Sequence, residues 1–226
     1  GGTGGLGIEV ARRLIDRDFR LAVSYLVPEH AEAFEREIRL DEDHLLLVRC
    51  DGTDQGAVDE FFSRTVDQFD GINVLVSLVG GWSGGKDVEE TSEVRFDRMI
   101  DLNLRSAFNA CRAALPHLRE AEWGRIILIG SRAAIDPAPG QAAYNIAKAG
   151  VIALARTIAQ EVHDAPLTAN VVLPSVIDTP AFREVVPFGD YVDWPTPQEI
   201  AQVIDFLASP DSSVINGAMI PAYGKM

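Results

Sequence analysis

The feature that most constrains how this chain can fold is a repeated alternation. Apolar runs of strand length occur at Leu21–Leu26, Leu45–Cys50, Val74–Val79, Arg125–Gly130 and Leu167–Leu173, with a short last one at Ala218–Pro221. Between them the apolar residues fall at helical spacing. Helices are predicted from about Glu29 to Arg39, from near Thr53, from Ser92 to Arg119, through the segment of Tyr144 and Lys148, and over Gln198–Leu207. A run such as Val74–Val79, apolar except for Ser77, suits a strand covered on both faces. The pattern predicts an α/β fold: one Rossmann-like, doubly wound parallel sheet with helices on both faces. The 226 residues are right for a single domain spanning 1–226. With right-handed crossovers, a ligand belongs over the C-terminal ends of the strands.

The chain opens on Gly1-Gly2-Thr3-Gly4-Gly5-Leu6-Gly7 and runs at once into an amphipathic helix carrying Ile8, Ala11, Leu14 and Ile15 on one face. A glycine-rich turn entering a helix lets backbone N–H groups approach phosphate oxygens, where the helix dipole favours negative charge. A flexible tag or linker has a similar composition, but it would not lead straight into an amphipathic helix. A phosphate-binding turn of this kind needs a strand just ahead of it. The first strand is therefore expected to be missing from the given sequence.

Other strand ends carry polar or glycine residues. Asp51 either accepts a hydrogen bond from an adenine amino group or caps the helix near Thr53. Gly80-Gly81-Trp82-Ser83-Gly84-Gly85 suits close approach of backbone to a ligand, or a mobile loop. Asn103 interrupts the apolar face of the Ser92–Arg119 helix, and a buried amide needs partners. It is either a structural hydrogen-bonding residue or the holder of a water in a proton path. Pro116 is expected to bend or end that helix. Residues 175–197 are rich in proline, show little periodicity, and read as a loop covering a site. Phe182, Val185, Val186, Phe188 and Trp194 offer it apolar walls.

The chemistry concentrates in Ser131, Tyr144 and Lys148. Ser131 follows the run Ile126–Ile129, where a strand delivers its hydroxyl to the sheet's C-terminal edge. Tyr144 and Lys148 are four apart and share a helix face. An ammonium beside a phenol favours the phenolate, which is expected to lower a pKa near 10. Such a tyrosine exchanges a proton with an alcohol or carbonyl oxygen near neutral pH. An ordinary helix with a half-buried tyrosine and a surface lysine has the same pattern, so the company these residues keep decides between the two.

Charge and cysteines bound the partners. The net charge of -14 argues against nucleic acid and against an anionic membrane surface. Cys50 and Cys111 lie in separate apolar segments, which predicts free thiols and a reducing, cytoplasmic setting. No signal peptide, lipidation motif, membrane-spanning run or metal-ligand spacing is evident, so no membrane partner and no metal are expected. The helix of Tyr144 is apolar nearly all round, as at a subunit interface, which predicts a homodimer or homotetramer.

Taken in order, Gly1, Gly5 and Gly7, then Asp51, Gly80, Asn103, Ser131, Tyr144-x-x-x-Lys148, Pro174 and Thr179 resemble the short-chain dehydrogenase/reductase family over the whole chain, less its first strand. The resemblance implies an oxidoreductase that uses NAD or NADP. It makes Tyr144 the general acid or base. Lys148 lowers the tyrosine's pKa and bonds the nicotinamide ribose, Ser131 holds the substrate oxygen, and Asn103 positions a water relay. It puts coenzyme contacts at Gly1, Thr3, Gly5, Leu6, Gly7, Asp51, Gly52, Gly80, Tyr144, Lys148, Pro174, Ile177 and Thr179. Tyr25, Leu26 and Val27, at the end of the second strand, are neither an acid for a ribose hydroxyl nor an arginine for a 2′-phosphate, so the coenzyme choice is open. Two departures touch coenzyme contacts: Ser77-Leu78-Val79-Gly80 where the family commonly has Asn-Asn-Ala-Gly, and Pro174-Ser175 where it commonly has Pro-Gly. Val79–Gly85, Leu173–Pro180 and Asp193–Pro197 resemble the dihydropteridine reductase branch, which typically lacks the serine that stands here as Ser131. The implied reaction is hydride transfer between nicotinamide and a small carbonyl or alcohol substrate, as in 3-oxoacyl and general carbonyl reductases. The alternatives are a dihydropteridine reductase-like enzyme and a non-catalytic dinucleotide-binding sensor.

Overall fold

The computed structural model describes residues 1–185 and 193–225. Helix α1 (Gly5–Ile15) leads to strand β1 (Leu21–Tyr25), helix α2 (Pro28–Glu37), strand β2 (Leu45–Arg49), helix α3 (Gln55–Phe69) and strand β3 (Val74–Ser77). Helices α4 (Glu93–Ile100) and α5 (Ser106–Glu120) precede strand β4 (Gly124–Ile129), helix α6 (Ala142–Glu161) and strand β5 (Leu167–Pro174). The chain continues through α7 (Pro180–Val185), α8 (Pro197–Ala208) and strand β6 (Met219–Ala222).

All described pairings are parallel: β1 with β2, and β3-β4-β5-β6 in that order. Successive residues of the middle strands serve opposite faces, as strand geometry demands. Ile126, Leu128, Ala169 and Val171 join a core with α3, α5 and α6. Ile127 and Val172 join the other core, with α1, α2 and α8. Every residue of β5 is buried, which only a sheet clothed on both sides allows. The fold is therefore the predicted doubly wound α/β sheet.

The sheet divides between β1 and β3, beside the glycine turn. A cavity of about 470 Å³ occupies this position, walled by core side chains such as Val10, Leu14, Val23, Phe62, Leu75 and Val76. Ser131, Tyr144 and Lys148 do not line it, so this gap belongs to the core.

The helix expected over Ser92–Arg119 is not uniform. Asp101–Arg105 forms a π turn between α4 and α5, in which the N–H of Ser106 bonds the carbonyl of Asp101, five residues back. One extra residue in a turn rotates the helix beyond it, and such bulges cluster at functional sites. Pro116 neither ends nor replaces α5, which runs on to Glu120. Pro116 is exposed, and so is Arg112, whose carbonyl would have accepted the missing N–H, so that bond is lost on the solvent side. The proline-rich segment also holds more structure than expected, because α7 begins directly after Thr179.

Candidate active site

The glycine turn and α1 set one end of the site. Gly7 is needed for packing: a Cβ there would stand 2.0 Å from the Gly2 carbonyl oxygen. Gly1 lies against the backbone of Leu78 at the end of β3. Gly5, in the first turn of α1, is exposed, and the nearest atom to a Cβ built on it is Thr179 Cγ2 at 3.7 Å. The turn is therefore exposed at the helix N-terminus, where backbone N–H groups and the helix dipole favour an anion, and Thr179 borders it. Thr3 and Leu6 are half-buried in the same turn.

Asp51, exposed at the end of β2, accepts from the N–H and the hydroxyl of Thr53. It does not cap α3, since Asp54 is the capping residue and accepts from the N–H of Ala57. Gly52 packs against Ser106 and Val79, and its carbonyl accepts from Asn109 Nδ2 at 3.1 Å.

The π turn explains Asn103. The residue is 1% exposed, and its side chain grips the corner after β3 in both directions. Oδ1 accepts from the N–H of Gly81 at 3.1 Å, and Nδ2 donates to the carbonyls of Gly81 at 3.0 Å and Met99 at 3.1 Å. Both amide protons are spent on the chain's own backbone. A Cβ on Gly80 would stand 2.9 Å from Asn103 Oδ1 and 3.3 Å from Lys148 Nζ. Only glycine fits so close to those two side chains.

Ser131 leaves β4 in extended conformation. Its hydroxyl accepts from the N–H of Ala133 at 3.1 Å and lies close enough to the Tyr144 phenol to lower its pKa. Tyr144 projects from the first turn of α6, and Lys148 from the next turn. Lys148 is buried, donates to the Ile129 carbonyl at 2.9 Å, and holds Nζ 5.9 Å from the centre of the Tyr144 ring. Burial lowers its ammonium pKa to about 8. Tyr144 behaves contrary to the expectation from sequence. Burial pushes its phenol above the usual value, and the Ser131 hydroxyl only partly opposes this. The ammonium donates to a β4 carbonyl and stands over the face of the ring, so among the described residues it makes no hydrogen bond to the phenol oxygen. The phenol is thus protonated at neutral pH.

Pro174 is buried at the end of β5, with Ile177 and Thr179 half-buried after it. The Asp178 N–H donates to the Pro195 carbonyl at 2.9 Å, and Asp178 pairs with Arg183 through both carboxylate oxygens. Of the expected walls, Phe182 and Trp194 are in contact, with ring centres 5.8 Å apart. The Val185 side chain, Val186 and Phe188 lie outside the described residues. The backbone partners Ile129 and Gly81, and Gln141 at the head of α6, are not identifiable from sequence, because backbone acceptors leave no mark in it. Both cysteines are free and buried. Among the described residues, no helix is long and apolar enough to cross a membrane, and no three His, Cys, Asp or Glu side chains cluster as metal ligands do.

An open α/β sheet with a glycine turn at one strand edge and a serine-tyrosine-lysine group at the next defines a dinucleotide-dependent oxidoreductase. A family model described as enoyl-(acyl carrier protein) reductase matches residues 1–224. The 3-oxoacyl-[acyl-carrier-protein] reductase MabA of Mycobacterium tuberculosis is 36% identical over 234 residues, covering 100% of this chain and 90% of the relative. The 2-(R)-hydroxypropyl-CoM dehydrogenase of Xanthobacter autotrophicus is 31% identical, covering 99% of this chain and 95% of that protein. The solved structure of ElxO with NADP bound superimposes with a TM-score of 0.91 at 25% identity, covering 99% of this chain and 95% of the other. The chain belongs to the short-chain dehydrogenase/reductase family, whose members are oxidoreductases acting on hydroxyl and carbonyl groups.

Proposed function

We propose that this enzyme reduces a carbonyl to an alcohol with NADH or NADPH, on substrates of the 3-oxoacyl type, through Ser131, Tyr144 and Lys148. The observation that carries the reading is that Ser131, at the end of β4, half-buried Tyr144 and buried Lys148 come together, with Lys148 Nζ 5.9 Å from the centre of the Tyr144 ring and the Ser131 hydroxyl close enough to the phenol to lower its pKa. A serine hydroxyl beside a protonated phenol suits a carbonyl oxygen, which supports carbonyl chemistry over dihydropterin reduction.

The exposed glycine turn at the N-terminus of α1 fits the coenzyme diphosphate, since its backbone N–H groups carry no covering side chain there. Gly1, Thr3, Gly5, Leu6 and Gly7 would hold its diphosphate, Asp51 and Gly52 its adenine side. Gly80, Lys148, Pro174, Ile177 and Thr179 would hold its nicotinamide half. When bound, that nicotinamide supplies the hydride. The chain supplies orientation and the proton. Ser131 holds the substrate oxygen. Tyr144, protonated at neutral pH, gives its phenolic proton to that oxygen as negative charge develops there. The resulting phenolate lies on the same helix face as the Lys148 ammonium, which is then its nearest cation. Asn103 keeps the Gly80–Gly81 corner clear.

The whole chain reads as one such domain. Its two buried free thiols suit the cytoplasm. The exposed apolar side chains Val94, Phe96, Phe108 and Ile146 of α4, α5 and α6 suit a homodimer or homotetramer. The reading is tested by following nicotinamide absorbance with a 3-oxoacyl thioester, simple ketones and quinonoid dihydropterin, each with NADH and with NADPH. Oxidation of the coenzyme by the thioester or the ketones supports it. Turnover of the pterin alone, or of none of them, overturns it.

A further inference from the structure

The loop after β3 and the start of α7 bring three aromatic rings together beside the head of α6. Phe182 stands between Trp82, at 6.1 Å, and Trp194, at 5.8 Å, in edge-to-face contacts. In each such contact the edge of one ring meets the face of the other. Trp82 is 41% exposed, so burial does not account for a tryptophan there. It is nevertheless held in place twice. Its indole N–H donates to Gln141 Oε1 at 3.1 Å, and Gly84 lets the indole in, since a Cβ there would stand 2.6 Å from the ring.

Gln141 caps the start of α6, one turn ahead of Tyr144. Phe182 is tied to the coenzyme end: its N–H donates to the carbonyl of Thr179 at 3.0 Å, and Thr179 abuts Gly5. The aromatic group thus bridges the tyrosine's helix and the glycine turn. The nearby cations are engaged by their own chain: Arg95 by the Gly84 carbonyl, Lys86 by Glu90, and Arg183 by Asp178. A carboxylate or phosphate on the substrate would have to compete for them. An apolar ring would not.

We propose that Trp82, Phe182 and Trp194 form the specificity wall for the group attached to the carbonyl, and that they select a planar or cyclic apolar group over a straight chain. Trp82 and Phe182 are the contact residues, and Gln141 is a positioning residue that fixes the indole. The inference rests on the carbonyl reductase reading above.

The experiment compares kcat/KM for an aryl ketone and a straight-chain ketone of equal carbon number, in wild type and in Trp82→Leu, Phe182→Leu and Gln141→Leu. Wild type is expected to favour the aryl ketone by about tenfold, the scale of one good aromatic contact. Trp82→Leu and Phe182→Leu should bring that ratio towards one, mainly through KM, with coenzyme Kd unchanged. Gln141→Leu should lower the ratio less, and Gln141→Asn should not restore it, since a shorter amide falls short of the indole. Phe182→Leu lies on a short, partly exposed helix and keeps the test valid if Trp82→Leu fails to fold. A wild-type ratio near one, or a ratio unmoved in the variants, overturns the wall while leaving carbonyl reduction standing. Absence of turnover with every ketone and thioester overturns the underlying reading instead.

Discussion

Replacing Lys148 by methionine should stabilise the free protein at neutral pH while destroying its activity. The lysine is 5% exposed, and burial brings its pKa from 10.5 to about 8. At ~1.4 kcal/mol per pH unit, that gap means that holding the ammonium in the fold costs about 3 kcal/mol at pH 7. The sign comes from proton binding. Between pH 8 and 10.5 the unfolded lysine keeps its proton and the folded one has lost it. The unfolded state binds more protons, so this residue's contribution to stability rises with pH through that window and is worst below it. Methionine removes the cost but leaves the Ile129 carbonyl without its 2.9 Å donor, a loss of about 1–3 kcal/mol. A net gain of about 1 kcal/mol is expected at pH 7. By about pH 10 the neutral lysine no longer carries the charge penalty, and the variant should fall below wild type. Cys50 and Cys111 have thiols pushed up to about 11 and about 12 by burial, so they oppose the lysine above pH 9. The useful quantity is therefore the wild-type-minus-variant difference in urea unfolding, in which the thiols cancel. A difference that does not change between pH 7 and 10, with the variant less stable throughout, would refute the reasoning and mean that the ammonium is compensated in the fold.

Two other perturbations separate the parts of the site. Ser131→Ala removes the hydroxyl that lowers the Tyr144 phenol pKa, so the alkaline rise of alcohol oxidation should move to higher pH. Carbonyl reduction, which needs the protonated phenol, should keep its neutral plateau at a rate about 10²-fold lower. A pH–rate profile in each direction checks both points. Gly80→Ala places a methyl 2.9 Å from Asn103 Oδ1 and 3.3 Å from Lys148 Nζ. Coenzyme affinity and turnover should fall together, each by at least about tenfold (about 1.4 kcal/mol), with the melting temperature little changed. Isothermal titration and steady-state kinetics read the two.

The alternation of apolar runs is enough to predict the sheet, because a strand covered on both faces is made mostly of apolar residues, and β3, β4 and β5 are so, with Ser77, Arg125, Thr168 and Asn170 as buried polar exceptions. The grouping of Ser131 with Tyr144 is also legible, since one closes a strand and the other opens the next helix. The π turn at Asp101–Arg105 is not. A helix with one extra residue in a turn keeps nearly the same apolar spacing, and Asn103 alone breaks the face. The direction of the Tyr144 pKa is hidden for a related reason. Spacing places Lys148 on the tyrosine's face, but it says nothing of the Ile129 carbonyl that takes the ammonium or of how deeply both groups are buried. Asp51 is a plausible cap by sequence, but the backbone at the start of α3 gives that place to Asp54.

The proposed chemistry stands or falls on the phenolic proton of Tyr144. The most direct measurement pairs coenzyme binding with turnover in Tyr144→Phe, using fluorescence titration with NADPH or NADH and absorbance with a 3-oxoacyl thioester. The ring and its packing remain and only the hydroxyl is lost. The expected result is a coenzyme Kd within about twofold of wild type and a kcat lower by about 10²–10⁴-fold, the range attached to general acid catalysis. A variant that turns over as fast as wild type would contradict it.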